Sequence, residues 1–226
     1  MNTKPHFYHE IALWEQSIEY VVGMDEVGRG AFAGPVVVGA VVFPKDFHQL
    51  GLRRQLRDVR DSKALDPATR ILLARKIRQH TRHWAVGAVP ANVIDQIGMT
   101  RALQMAARQA LGRLSATTNN QQSTNNLTGH HILTDANLLK KSLFSPNVTE
   151  LVHGDAVCFS IASASILAKV WRDEYMRRLA HDRHQSHLKI YHWHQNAGYG
   201  TRYHQQVIRL YGPTPYHRLG FLKNLI

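Results

Sequence analysis

Gly23-Met24-Asp25-Glu26-Val27-Gly28-Arg29-Gly30 sets two adjacent acids at the end of an apolar run, followed at once by a glycine-flanked arginine. Adjacent carboxylates repel, so keeping both ionised in one cleft is costly unless a cation sits between them. The glycines let the backbone approach a ligand closely, and the arginine offers a planar fork for phosphate oxygens. This pairing points to metal-assisted chemistry on a phosphate ester. Upstream, Tyr20-Val21-Val22-Gly23-Met24 reads as a buried strand that delivers the acids. Downstream, Val36 to Phe43 reads as a second strand, stopped by Pro44. The glycine-rich link between them predicts a hairpin and hence an antiparallel pair. Gly28-Arg29-Gly30 with Ala33 formally fits the dinucleotide fingerprint G-x-G-x-x-A, which opens a helix. Here a proline and a valine-rich strand follow, so a dinucleotide site is rejected.

The remaining chain alternates strands and helices. Ile11, Leu13, Trp14 and Ile18 fall at near-helical spacing, predicting a lead-in helix within residues 9–20. Residues 45–66 are polar and loop-like, and Pro67 opens a helix to about His80 with Leu65-Asp66 before it as a cap region. Trp84 to Val89 predicts a third strand, and residues 91–97 and 99–114 carry helical spacing. Residues 115–130 are rich in Ser, Thr, Asn and Gln and nearly devoid of core formers, as expected of a mobile surface insertion. His131 to Thr134 leads as a strand into Asp135, and a strand near Val148–Val152 precedes Gly154-Asp155. A long helix follows from Phe159 to about Leu179, then a tail rich in His, Arg and Tyr with a short helix near 201–211. The order predicts an α/β fold on a mixed sheet.

At 226 residues the chain suits one medium domain with a small appendage. A formal net charge of +12 and a pI near 10.1 favour polyanionic partners, nucleic acid before acidic membranes. The single cysteine, Cys158, excludes an internal disulfide and fits a reducing compartment. Flanked by Val157 and Phe159, it reads as a small buried residue rather than a nucleophile. No apolar stretch approaches a membrane span and no secretory leader is evident, so a cytoplasmic location is expected.

Asp25 and Glu26 are the first candidate metal ligands. Asp135 likewise ends an apolar strand, and sites in α/β sheets gather at strand ends, so two strands could deliver acids to one cleft. A fourth acid comes from Asp155, before the long helix, or from Asp173 within it, where a salt bridge four residues along to Arg177 is the simpler role. Oxygen donors of this kind suit Mg²⁺ or Mn²⁺, which keep water and bind phosphate oxygens. His181, His184 and His187 recur every third residue with His192 and His194 nearby, but lack a closed zinc pattern, and an exposed basic helix end is preferred. Arg202, His204, Arg209, His217 and Arg218 make the tail a candidate duplex-gripping surface.

Asp25-Glu26-Val27-Gly28-Arg29-Gly30, running into Ala33-Gly34-Pro35-Val36-Val37, resembles the signature of ribonuclease HII. Asp61-Ser62-Lys63, Thr134-Asp135-Ala136-Asn137, the run Ser160 to Val170, Gly198-Tyr199-Gly200-Thr201 and Tyr211-Gly212-Pro213-Thr214 follow in that family's order. The resemblance implies a ribonuclease H-like fold: a five-stranded mixed sheet, flanking helices and a small C-terminal helical extension. It divides the chain into a lead-in helix at 1–19, a catalytic domain at 20–183 and an extension at 184–226 that contacts nucleic acid. It implies two-metal hydrolysis with Mg²⁺ or Mn²⁺ held by Asp25, Glu26, Asp135 and Asp155. The implied substrates are RNA–DNA hybrids and duplex DNA containing ribonucleotides, cut on the 5′ side to leave 5′-phosphate and 3′-hydroxyl ends. It further implies that Gly28, Arg29 and Gly30 meet the ribonucleotide's 2′-hydroxyl and adjoining phosphates, that Tyr199 packs on the neighbouring sugar, and that Lys63 and Lys169 touch phosphates.

Two positions depart from the family pattern. Ala136 stands where a glycine is usual, and Asn196-Ala197 where the family has His-Lys; the resemblance implies that loss of this lysine weakens a phosphate contact. Ribonuclease HIII is the nearest rival, but it carries Gly-Lys-Gly in place of Gly28-Arg29-Gly30 and an added N-terminal domain. A non-catalytic nucleic-acid binder is the rival of another class, and predicts binding that tolerates loss of the acids. Nothing demands more than a monomer, and Leu222-Lys223-Asn224-Leu225-Ile226 offers no clear docking motif for a sliding clamp.

Overall fold

Five strands form one mixed sheet in a computed structural model that describes residues 4–47, 52–117, 130–136, 138 and 147–225. The strands are β1 (Tyr20–Val27), β2 (Val36–Val42), β3 (His83–Val89), β4 (His130–Asp135) and β5 (Val148–Leu151), in the order β3-β2-β1-β4-β5. The first three pair antiparallel, while β4 lies parallel to both β1 and β5. The acids were expected to end β1. Instead the strand continues to Val27, with Asp25 opposite Gly39 and Glu26 opposite Val38, so both acids belong to the ladder. Pairing with β2 keeps polar residues extended where composition alone would end the strand.

The helices are α1 (Tyr8–Glu15), α2 (Pro67–His80), α3 (Ala91–Ile97), α4 (Met99–Thr117), α5 (Gly154–Val157), α6 (Phe159–Ala180), α7 (Trp193–Asn196), α8 (Arg202–Tyr211) and α9 (Leu219–Leu222). Asp66 caps α2 by accepting the Thr69 N–H at 3.0 Å, and Pro67 occupies the first turn, where its missing N–H costs nothing. The polar stretch before it contains two short helical turns, Leu52–Leu56 and Ser62–Ala64. Of the expected insertion at 115–130, residues 115–117 belong to α4 and His130 to β4, and residues 118–129 lie outside the described residues.

The sheet is covered on both faces. Val22, Met24, Val38, Ala40 and Ile132 pack toward α3 and α4 through Ile94, Leu103, Ala106 and Ala110. Val21, Val41 and Leu133 pack toward α2 and α6 with Phe7, Phe43, Phe47 and Phe159. The long helix α6 lies unusually close to β2. A Cβ added at Gly39 would fall 2.3 Å from the Ala164 carbonyl oxygen, so only glycine fits there. This explains the small, apolar beginning of the α6 sequence.

The N-terminal arm fastens to the start of that helix. His6 N–H donates to the Val157 carbonyl at 3.2 Å, and Phe159 N–H donates to the His6 carbonyl at 3.1 Å. Buried Glu10 accepts the Ser160 N–H at 2.7 Å and the Cys158 thiol at 3.2 Å through one oxygen. Burial pushes the Cys158 thiol well up, which makes it a poor nucleophile, as the sequence predicted. Among the described residues no helix is long and apolar enough to cross a membrane.

Candidate active site

Parallel pairing of β1 with β4 decides which side chains meet. Gly23 lies opposite Leu133 and Met24 opposite Thr134, so Asp25 and Asp135 follow side by side at the carboxyl ends of adjacent strands. Their face is the one covered by α6, because Gly23 abuts Ser160 and Leu133 joins the α6-side core. Glu26 leaves the strand on the alternate side at its end, where Asp135 still acts on its carboxylate. Asp155 comes from α5, just after β5, and its neighbour Gly154 donates its N–H to the Asp135 carboxylate at 2.8 Å.

The electrostatics show the four acids as neighbours. Asp25 is 6% exposed, and burial, then the charges of Glu26 and Asp155, hold its carboxyl well above the usual range despite a hydrogen bond from Ser165. Burial also raises Glu26; Arg29, 3.5 Å from one Glu26 oxygen, lowers it, and Asp135 raises it again. Asp155 is raised by burial, by Asp61 and by Asp135, with Lys63 and His153 opposing. Mutual repulsion of this kind is what a divalent cation relieves. The second oxygen of Glu26 is buried without a hydrogen-bond partner among the described residues, a donor atom left over for such an ion. No group of three or more His, Cys, Asp or Glu among the described residues is already disposed to hold a metal ion. Carboxylate oxygens of this kind fit Mg²⁺ or Mn²⁺ by their chemistry, with water or phosphate oxygens completing the coordination.

The alternative fourth acid is occupied elsewhere. Asp173 binds Lys169 at 2.7 Å and Arg70 at 3.3 Å, while Arg177, its expected partner, pairs with Glu174. Lys169 also lies 5.4 Å from the Tyr199 ring centre and Arg172 5.2 Å from it, so two cations lie close to that half-buried ring. Lys63 is exposed at a short turn where Asp61 accepts its N–H at 2.9 Å.

Gly28 adopts φ +87°, and a Cβ there would lie 2.1 Å from the Arg172 guanidinium. The loop after it is anchored to the Tyr199 turn by Phe32 and Ala33 N–H groups on the Gly198 carbonyl, at 2.8 and 3.0 Å. Asn196, one of the departures from the family pattern, donates to the Tyr191 carbonyl and accepts the Gly198 N–H at 2.8 Å, so it shapes this turn.

The tail needs a correction. Arg202 and Arg209 are exposed, but His204, His217 and Arg218 are buried and grip protein, not solvent. Trp193 Nε1–H donates to His204 Nε2, so His204 carries its proton on Nδ1 and donates it to the Tyr199 carbonyl at 2.9 Å. His217 Nε2 in turn faces His204 Nε2 at 3.1 Å, while its Nδ1 accepts the Thr214 N–H. Burial lowers His217 to about 4, with His204 contributing. Sequence reading missed Ser165, Asp61 and buried Arg172. Asp61 and Ser165 lie inside quoted motifs, but nothing in their spacing shows that they face the acids.

The family model described as Ribonuclease HII matches residues 22–224. Ribonuclease HII of Thermosynechococcus vestitus is 40% identical over 218 residues, covering 96% of this chain and 91% of that protein. In the structure of the PCNA:RNase HII complex from Archaeoglobus fulgidus, a chain superposes with a TM-score of 0.66 at 22% identity, covering 88% of this chain and 94% of that one. Bst-RNase HIII in complex with Mn²⁺ superposes with a TM-score of 0.63 at 21% identity, covering 92% of this chain and 69% of that one.

Proposed function

The chain belongs to the ribonuclease HII family, enzymes with ribonuclease H activity on RNA–DNA hybrids, and from that premise we propose that it is a metal-dependent endonuclease which also cuts 5′ to ribonucleotides embedded in duplex DNA. The observation that carries this reading is the gathering of Asp25, Glu26, Asp135 and Asp155, in which Asp25, Glu26 and Asp155 are each raised by burial and by the charge of a neighbouring acid. These four residues would hold the cations. When bound, two Mg²⁺ or Mn²⁺ ions supply activation of a water and neutralisation of charge on the leaving 3′-oxygen. Ser165 orients Asp25, and the Gly154 N–H fixes Asp135.

Gly28, Arg29 and Gly30 approach the 2′-hydroxyl, the group that distinguishes ribose from deoxyribose. Tyr199, with Lys169 and Arg172 close to its ring, offers a rigid face to the adjoining sugar. Lys63 and Lys169 position the phosphate backbone without reading sequence. Residues from about 184 onward form the extension that lies along the duplex, through Arg202 and Arg209 rather than the buried His204, His217 and Arg218.

The test is a labelled DNA duplex carrying one ribonucleotide, beside an all-DNA duplex and an RNA–DNA hybrid, each with Mg²⁺, Mn²⁺ or chelator. A metal-dependent cut 5′ to the ribonucleotide, leaving a 5′-phosphate and absent from all-DNA, is expected. Cleavage of the hybrid alone would defeat the junction-reading part and strip Tyr199 of its role.

A further inference from the structure

Arg172 and Arg218 are both 0% exposed, yet no carboxylate lies within ion-pair distance of either among the described residues. Arg172 donates to the carbonyls of Pro35, Ala197 and Ala33 at 2.9, 2.7 and 2.9 Å. Arg218 donates to those of Gly34, Gly28 and Arg29 at 3.0, 2.7 and 3.0 Å, and its Nη2 is buried with no hydrogen-bond partner. The acids that act on them at longer range are Asp173 and Asp95. Asp173 is committed to Lys169 and Arg70, and Asp95 accepts the Leu219 and Gly220 N–H groups at 2.7 and 3.0 Å.

Burying a charge without a counter-ion is strongly unfavourable, and two like charges beside each other make it worse. Burial and the neighbouring Arg172 lower Arg218 to about 9, which still leaves it cationic at neutral pH. Carbonyl dipoles offset part of this cost; an anion would offset the rest. The loop above the two guanidiniums is built to meet one. Its carbonyls at Gly28, Arg29, Ala33, Gly34 and Pro35 turn inward onto the arginines. Its Arg29 and Gly30 N–H groups have no acceptor among the described residues, and the side of Gly30 where a Cβ would stand is open space.

We propose that Arg172 and Arg218 are positioning residues that fix the Gly28–Pro35 loop with its free N–H groups outward, and that one phosphodiester of the substrate is the missing counter-charge. The assignment rests on the nucleic-acid substrate proposed above and adds the residues, remote in sequence, that make the loop attract that group.

The experiment measures binding, in Ca²⁺ to prevent turnover, of duplexes with one ribonucleotide and one neutral methylphosphonate moved through the flanking linkages. The wild type is expected to lose about tenfold at one linkage beside the ribonucleotide. Arg218→Gln and Arg172→Gln should bind the unmodified duplex more weakly and lose nothing further at that linkage. Arg218→Lys and Arg172→Lys keep the charge without the fork, so they should retain the linkage effect on weaker overall binding. Glutamine variants that respond to every linkage as the wild type does would overturn the proposal, because a merely structural role weakens all duplexes alike. Loss of the linkage effect in folded lysine variants would overturn it too. A wild type that shows the linkage effect but fails to cut the duplex in Mg²⁺ or Mn²⁺ would remove the catalytic reading and leave this one standing.

Discussion

Asp25 is a group the fold would rather protonate. Burial and the charges of Glu26 and Asp155 penalise its ionised form, so without a cation the carboxylate weakens the folded chain. Asp25→Asn should cost about a hundredfold or more in turnover. It should also raise stability, measured by thermal melting without divalent ions, by about 1 kcal/mol. A clear loss of stability would instead mark Asp25 as structural. His217 behaves oppositely. Its folded value of about 4 lies below the 6.5 of the unfolded chain, so the unfolded state takes up a proton first. Its stabilising effect is complete above about pH 6.5 and drains away on acidification, reaching a loss on the order of 3 kcal/mol near pH 4. Denaturant midpoints between pH 7 and 4.5 should fall in the wild type and flatten in His217→Phe. An equal slope in both would assign the acid sensitivity to other groups.

At the scale of elements, the contact between α6 and β2 leaves no room for a side chain at Gly39. Gly39→Ala should cost about 3 kcal/mol, read from urea unfolding, because its Cβ meets backbone rather than a side chain that can swing away. A loss below about 0.5 kcal/mol would show that α6 can shift outward freely. Much of this architecture was legible in the chain. The helix Pro67–His80 follows from a capping aspartate and a first-turn proline, and the long helix read from Phe159 to about Leu179 is α6. The end of β1 was not legible, since pairing with Val37 and Val38 on another strand overrides the local signal of Asp25 and Glu26. Arg172, Arg218, His204 and His217 were hidden for a related reason. Such residues are usually exposed, and the partners that bury the arginines are main-chain carbonyls, which no side-chain pattern advertises.

The whole molecule carries a formal charge of +12, so its grip on duplexes should be strongly salt-dependent. A log–log slope of roughly −3 to −6 is expected for several phosphate contacts, measured by equilibrium binding over 50–200 mM salt. A slope near zero would mean that the charge does not face nucleic acid. The acids of the candidate site, by contrast, were recognisable from sequence because metal chemistry demands particular side chains; their companions Asp61 and Ser165 were not, since only the folded sheet and α6 bring them near. The loop at Gly28 has a consequence for synthesis. Its carbonyl waits for Arg218, 190 residues later, so the loop cannot be fastened until synthesis has passed that residue. At roughly 5–20 residues per second, about ten to forty seconds separate the making of that bond's two partners. A growing polypeptide of this kind carries Asp25 and Glu26 long before the loop beside them is fastened, a delay set by the distance between two ends of one hydrogen bond.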